Sequence, residues 1–202
     1  MGTLSGWFGA RLARYLSTEV HQQGSAPPTR SARLLSTLQP GDVLLVEGRS
    51  RFSTAIKYLT QSTWSHAALY VGTEALQGTG APARHCFVEA DVVEGVRSVA
   101  ADLFESYHTR ICRPIGLSAP DTALIVGYAV ARLGHRYDLR NVWDLARYLL
   151  PTPPVPQRFR RRMLSLGSGD PTRAICSTLI AQAFQSIRYP ILPRVEALSN
   201  EV

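Results

Sequence analysis

The chain has 202 residues, of which 45% are hydrophobic and 18% charged. That composition excludes a disordered or collagen-like chain and fits one globular domain with a short appendage, large enough to bury about 70% of its unfolded surface without disulfide or metal staples. The formal charge is +7, and since Lys57 is the sole lysine, nearly all of the 22 basic side chains are arginines; such an excess arises from coding bias as readily as from an anion-binding surface.

Residues 1–20 place Leu4, Trp7, Phe8, Leu12, Tyr15 and Leu16 at helical spacing with Arg11 and Arg14 between them, which predicts a basic amphipathic helix. It lacks the continuous apolar stretch of a secretory signal, and Gly6 stands where a myristoylation motif needs Ser or Thr. The helix either docks on its own domain or lies on an anionic membrane surface. Residues 21–36, opening with HQQGSAPPTRSAR, read as a linker, and residues 37–202 as the domain proper.

The domain opens with a Pro40-Gly41 turn and a short buried strand, Val43 to Val46. Ser50 caps a helix with Phe52, Ala55, Ile56 and Leu59 on one face. Strands follow at His66 to Val71, His85 to Ala90, Val96 to Val99 and Arg110 to Arg113; the turn from Asp91 to Gly95 makes the middle two a hairpin. Helices are predicted over about Asp121 to Leu133 and Asn141 to Leu150. The longest apolar run, Ala123 to Ala131, is far short of the roughly 20 residues of a membrane span. Residues 151–169 hold four prolines and the cluster Arg158, Arg160, Arg161 and Arg162, an irregular basic excursion. A last helix, from near Asp170 to about Arg188, buries Ile175, Leu179, Ile180, Ala183, Phe184 and Ile187. Strands preceding helices predict an α+β fold.

Three cysteines without CxxC spacing fit neither a secreted disulfide framework nor a zinc finger, and suit a reducing, cytoplasmic setting. Cys86 and Cys112 fall within strands. Cys176 falls in the last helix, where it is either a small buried hydrophobe or, if the helix starts near Ala174, a thiolate stabilised by the positive end of the helix dipole. A nucleophilic cysteine needs a base, and His66, opening an apolar strand, is the leading histidine ahead of His85. Glu89 stands between Val88 and Ala90 in a strand that should be buried, so it must be paired, by a neighbouring arginine or by a histidine that it orients. Glu94, in the turn, is the fallback acid.

The runs LQPGDVLLVEG, SHAALYVG from Ser65, FVEADVVEGVRSV, GHRYD at 134–138 and AICSTLIAQAF together resemble the permuted papain-like cysteine amidases of the YiiX type, in the NlpC-related superfamily. The likeness spans about residues 40–188 and lies in the order His, Glu, Cys, the reverse of papain's Cys before His. It implies a circularly permuted papain-like fold, with a small antiparallel sheet or barrel packed against helices. It assigns Cys176 as nucleophile, His66 as base and Glu89 as the residue that orients His66. Tyr137, in the GHRYD run, would line the pocket or help the oxyanion site. Ser65 is a candidate substrate-binding residue, and Trp64 and Tyr70 are either wall residues or, more commonly for such rings, core aromatics.

The implied activity is hydrolysis of an amide or ester through a thioester, on a peptide, cell-wall or lipid-linked substrate, with no cofactor and no metal. Two alternatives stand beside it. The lecithin:retinol acyltransferases share the permuted order but usually carry histidine as the third residue, where this chain has Glu89. A non-enzymatic membrane-surface module would use the basic helix and the arginine loop. Nucleic acid is not an expected partner, because Phe159 is the one aromatic within the basic run. The expected location is the cytoplasm, alone or at the inner membrane surface.

Overall fold

The computed structural model describes Thr18 and residues 30–91, 94–135 and 175–191. The predicted helices at 1–20 and 141–150, the arginine cluster at 158–162 and Tyr137 lie outside the described residues. Helix α1 (Ser31–Leu35) is followed by strand β1 (Val43–Glu47), α2 (Arg51–Thr60), β2 (His66–Tyr70), β3 (His85–Asp91), β4 (Gly95–Ala100), β5 (His108–Cys112), α3 (Ala119–Val130) and α4 (Ile175–Ser186). Short 3-10 turns at Glu74–Leu76 and Ala101–Phe104 complete the set.

The five strands form one antiparallel sheet in the order β4-β3-β2-β1-β5. The turn at Pro40-Gly41 sets β1 running, with Gly41 at a φ of +94° that favours glycine. Asp42, directly after it, is buried. Its carboxylate accepts two bonds from Arg113, Nε to Oδ1 at 2.9 Å and Nη2 to Oδ2 at 2.7 Å, and a third from the Gln39 amide. That bidentate pair locks the end of β5 against the start of β1, a connection across 71 residues of chain.

Local signals account for the helices. Ser50 caps α2 by accepting from the Ser53 amide, and Ser118 and Asp121 make a reciprocal capping box at the start of α3, with Pro120 in its first turn. Helix α1 forms inside the stretch read as linker. It has neither a side-chain cap nor an acidic first turn, and its anchor is tertiary, the burial of Leu34 and then Leu38 in a core cluster with Leu44, Phe87 and Phe104.

Because strand side chains alternate, the sheet has two distinct buried faces. One carries Ala67, Leu69, Val88, Ala90 and Val96 and is covered by α3 and α4 through Ile125, Ala129, Leu179, Ile180, Ala183 and Phe184. The other carries Leu44, Val46, Ala68, Phe87 and Val99. With both faces covered, β2 and β3 are apolar along most of their length.

The direction of α4 follows from its far end. Tyr189, just past the helix, donates its hydroxyl to the carbonyl of Ile115 at 3.0 Å and accepts from the Ile115 amide at 3.1 Å. Ile115 follows β5 on the side of the sheet where Asp42 and Arg113 pair. Helix α3 runs away from that side: Thr122 packs at Gly41, and after the helix Gly134 and His135 exchange backbone bonds with Val96 at the start of β4. Helix α4 packs against α3, β2 and β3, so its first turn is directed toward the opposite end of the sheet, where β2 begins with His66 and β3 ends.

Leu179 is fully buried in this seam while Leu124 on α3 is exposed. Leu179→Ala should therefore cost about 3 kcal/mol and Leu124→Ala no more than about 0.5 kcal/mol, read as shifts in the urea unfolding midpoint. Equal effects of the two would mean that α4 does not rest on the sheet through this face.

Candidate active site

His66 is the first residue of β2, and its partner in the register is Val46. The chain enters this position through a tight connection. The Ser65 amide donates to the Val46 carbonyl, and the buried Ser65 hydroxyl accepts from the Gly48 amide at 3.0 Å. Gly48 is required there, because a Cβ would collide with the hydroxyls of both Ser53 and Ser65. Ser65 thus holds the backbone that presents His66.

Glu89 lies opposite Ala68 on β2 and opposite Arg97 on β4. It shares with His66 the face of the sheet that carries Ala68 and Phe87. Only 2% of Glu89 is exposed, and a carboxylate so buried is tolerated only with partners for both oxygens. Oε2 lies 2.8 Å from Nε2 of His66. Oε1 accepts from Nε of Arg97 at 2.9 Å and from Nη2 of the same guanidinium at 2.8 Å. Burial acts to raise the carboxyl pKa, but the hydrogen bond and charge of His66, together with Arg97, outweigh it and hold Glu89 below the usual carboxylate value. An ionised carboxylate only accepts, so the 2.8 Å contact is an Nε2–H donor from His66.

The sequence reading left the partner of Glu89 open between an arginine and a histidine, and the structure supplies one for each oxygen. Arg97 is the residue that reasoning missed. The signal was present, because folding residues 89–97 about the Asp91 to Gly95 turn sets position 97 opposite position 89. Arg97 is itself held by its second arm, Nη1 lying 2.8 Å from Oε2 of Glu94, with Asp91 3.8 Å from Nη2. Glu94, the fallback acid, is exposed and serves Arg97 rather than His66.

The remaining candidates separate clearly. The Trp64 ring stacks on His108, centroids 5.1 Å apart and 29° between planes. Tyr70 stands at the far end of β2, roughly 13 Å of strand from His66; its ring meets Phe87 edge-on, so it belongs to the core. Burial, followed by the charges of Cys86 and Asp42, raises its hydroxyl pKa. The His85 ring bonds Ser98 through Nδ1 at 2.9 Å. Cys86 is buried, and burial pushes its thiol upward, away from the reactive range. Cys176 is the second residue of α4 as described; its side chain, like Tyr137, lies outside the described residues. The described part of the GHRYD run, Gly134 and His135, pairs with Val96, the neighbour of Arg97.

Among the described residues no group of three or more His, Cys, Asp or Glu is arranged to hold a metal ion, and no helix is long and apolar enough to cross a membrane. The arrangement at the head of β2 is an imidazole whose Nε2–H is fixed by a buried anion. An imidazole held in this way has the chemistry to serve as a general base oriented by a carboxylate.

Residues 37–149, more than half of the chain, match the family model described as permuted papain-like amidase enzyme, YaeF/YiiX, C92 family. The chain belongs to this family. It is therefore an enzyme of the papain-like amidase and cysteine peptidase kind, built here on a five-stranded antiparallel sheet with helices. The matched span of this amidase includes His66, Glu89 and Arg97 and ends before Cys176. Among curated proteins none matches it.

The lowered Glu89 pKa fixes the sign of one pH effect. A carboxylate depressed on folding contributes stability above its unfolded pKa, about 4.3, and loses it as pH falls through the folded value. Wild type should therefore exceed Glu89→Gln in unfolding free energy at pH 7, with the difference shrinking progressively below about pH 4.3. Urea titrations at pH 7, 5, 4 and 3 measure it; a difference that stays constant across that range would show that the carboxylate titrates alike in folded and unfolded chains.

Proposed function

We propose that this amidase hydrolyses amide or ester bonds through a thioester on Cys176, with His66 as general base and acid and Glu89 as the residue that orients His66, on a circularly permuted papain-like fold. The observation that carries the reading is the 2.8 Å contact between Nε2 of His66 and Oε2 of Glu89, made at the end of the sheet toward which the first turn of α4 is directed. The helix covers the face of Ala67 and Leu69 while His66 projects from the face of Ala68. A sulfur at the head of α4 would accordingly meet the imidazole around the end of β2 rather than through the core.

The chemistry follows from the tautomer. With Nε2–H committed to Glu89, proton transfer falls to Nδ1 of His66, which takes the thiol proton and leaves an imidazolium stabilised by the buried carboxylate. The thiolate of Cys176 attacks the substrate carbonyl, and the tetrahedral oxyanion is received by amide groups at the start of α4, where the helix dipole favours negative charge. The imidazolium returns its proton to the leaving amine or alkoxide as the C–N or C–O bond breaks. Water, deprotonated by Nδ1, then attacks the thioester, and the acid product leaves with the thiol restored. The substrate class is a peptide, cell-wall or lipid-linked acyl compound.

Thiol reactivity tests this without a known substrate. At pH 6.5 iodoacetamide should alkylate Cys176 at least tenfold faster than the buried Cys86 or the half-buried Cys112, and His66→Ala should remove that advantage. Peptide mapping of the alkylated protein over time reads the three rates separately. Equal rates at all three cysteines, or a Cys176 rate indifferent to His66→Ala, would overturn the assignment.

A further inference from the structure

We infer that Arg97 is a positioning residue of this amidase, acting through Glu89 to hold the His66 imidazole in a single orientation and tautomer. The inference rests on the reading in which His66 is the base, and it goes beyond that reading by adding a fourth side chain to the site.

The terminal torsion of a glutamate is broad, so a carboxylate with one partner swings about its own axis and carries that partner with it. Glu89 is denied that freedom. Nε and Nη2 of Arg97 converge on Oε1 at 2.9 and 2.8 Å, which fixes that oxygen and leaves Oε2 directed at His66. The guanidinium is in turn fixed from behind, by Glu94 on Nη1 at 2.8 Å and by Asp91 3.8 Å from Nη2. The result is a chain of contacts from the β3–β4 turn through Arg97 and Glu89 to the first residue of β2. The Arg97–Glu89 and Glu89–His66 links each span one inter-strand gap of the sheet, so the register sets their geometry.

The electrostatics point the same way. The charged and titratable groups set against Glu89 among the described residues are His66 from β2 and Arg97 from β4, with Asp91 and Glu94 beyond Arg97. Arg97 helps to keep Glu89 ionised despite its burial, and an ionised Glu89 can only accept, which compels the ring to carry its proton on Nε2. A lysine at position 97 would supply the charge without the planar fork that grips one oxygen.

The test follows the ring itself. In full-length protein carrying 15N-labelled histidine, with His66 assigned by its loss in His66→Gln, wild type should show the Nε2-protonated tautomer at pH 7.5 and a downfield, slowly exchanging Nε2 proton. Arg97→Met should give mixed tautomers, lose that proton, and slow iodoacetamide labelling of Cys176 by about ten- to a hundredfold per folded molecule. Arg97→Lys should restore labelling only in part. Should Arg97→Met fail to fold, Glu94→Gln, a change at an exposed side chain, releases one arm of the guanidinium and should shift the tautomer ratio in the same direction by less. A folded Arg97→Met with the wild-type ring signature and labelling rate would overturn the inference, as would complete rescue by lysine or, in the fallback, an unchanged ratio in Glu94→Gln. Uniformly slow labelling of Cys176 in wild type would instead sink the nucleophile assignment, leaving the ring signature to decide the role of Arg97.

Discussion

A carboxylate buried between neighbouring strands of a β-sheet is the constraint around which this molecule is organised. Taking Glu89 out of water would be prohibitive without compensation, and each of its two oxygens is answered from a different flanking strand, His66 on β2 and Arg97 on β4. The requirement acts on the fold as well as on the site. Slipping β3 by one residue would turn Glu89 into the opposite face, toward Leu69, Ile125 and Leu179, apolar among the described residues. The charge thus penalises wrong registers more strongly than the surrounding valines and alanines could. Asp42 and Arg113 repeat the device at the other end of the sheet, fastening β5 to β1. Two of the buried acids, one toward each end, thus fasten neighbouring strands, and in the proposed mechanism one of them also orients the base.

Much of this was legible in the sequence because the relevant signals are local. The strand around Glu89 announced itself by apolar residues on both sides, and the acid was conspicuous for the same reason. Ser50 as a cap, the Asp91 to Gly95 turn and His66 at the opening of a strand all rest on near neighbours in the chain, and the structure has each of them. The identity of the second partner was within reach, since a hairpin turn fixes which residues oppose one another. What the reasoning treated as a choice, arginine or histidine, was not one, because a carboxylate presents two acceptors.

Other features had no local signature. Helix α1 has none of the capping residues that mark a helix start and exists because Leu34 and Leu38 find a core built mainly from residues 44 to 104. The buried role of Asp42 depends on Arg113, 71 positions away, and the placing of β5 beside β1 rather than beside β4 is a long-range pairing that the same two residues fasten. Tyr70 read either as a pocket wall or as a core aromatic; it stands four positions along the strand from His66 with its ring against Phe87, which decides for the core.

The same physics bears on how a nucleophile could be delivered by a residue 110 positions after its base. Chain connectivity alone specifies the separation of two residues so far apart in sequence only loosely. Helix α4 does not rely on it. Leu179, Ile180, Ala183 and Phe184 fit against Ala67, Leu69, Val88 and Ala90, and the Tyr189 hydroxyl grips both backbone groups of Ile115 at the far end. Those contacts set the position and direction of the helix along its described length. In the proposed mechanism core packing thus directs the head of α4 to the end of the sheet where β2 begins with His66.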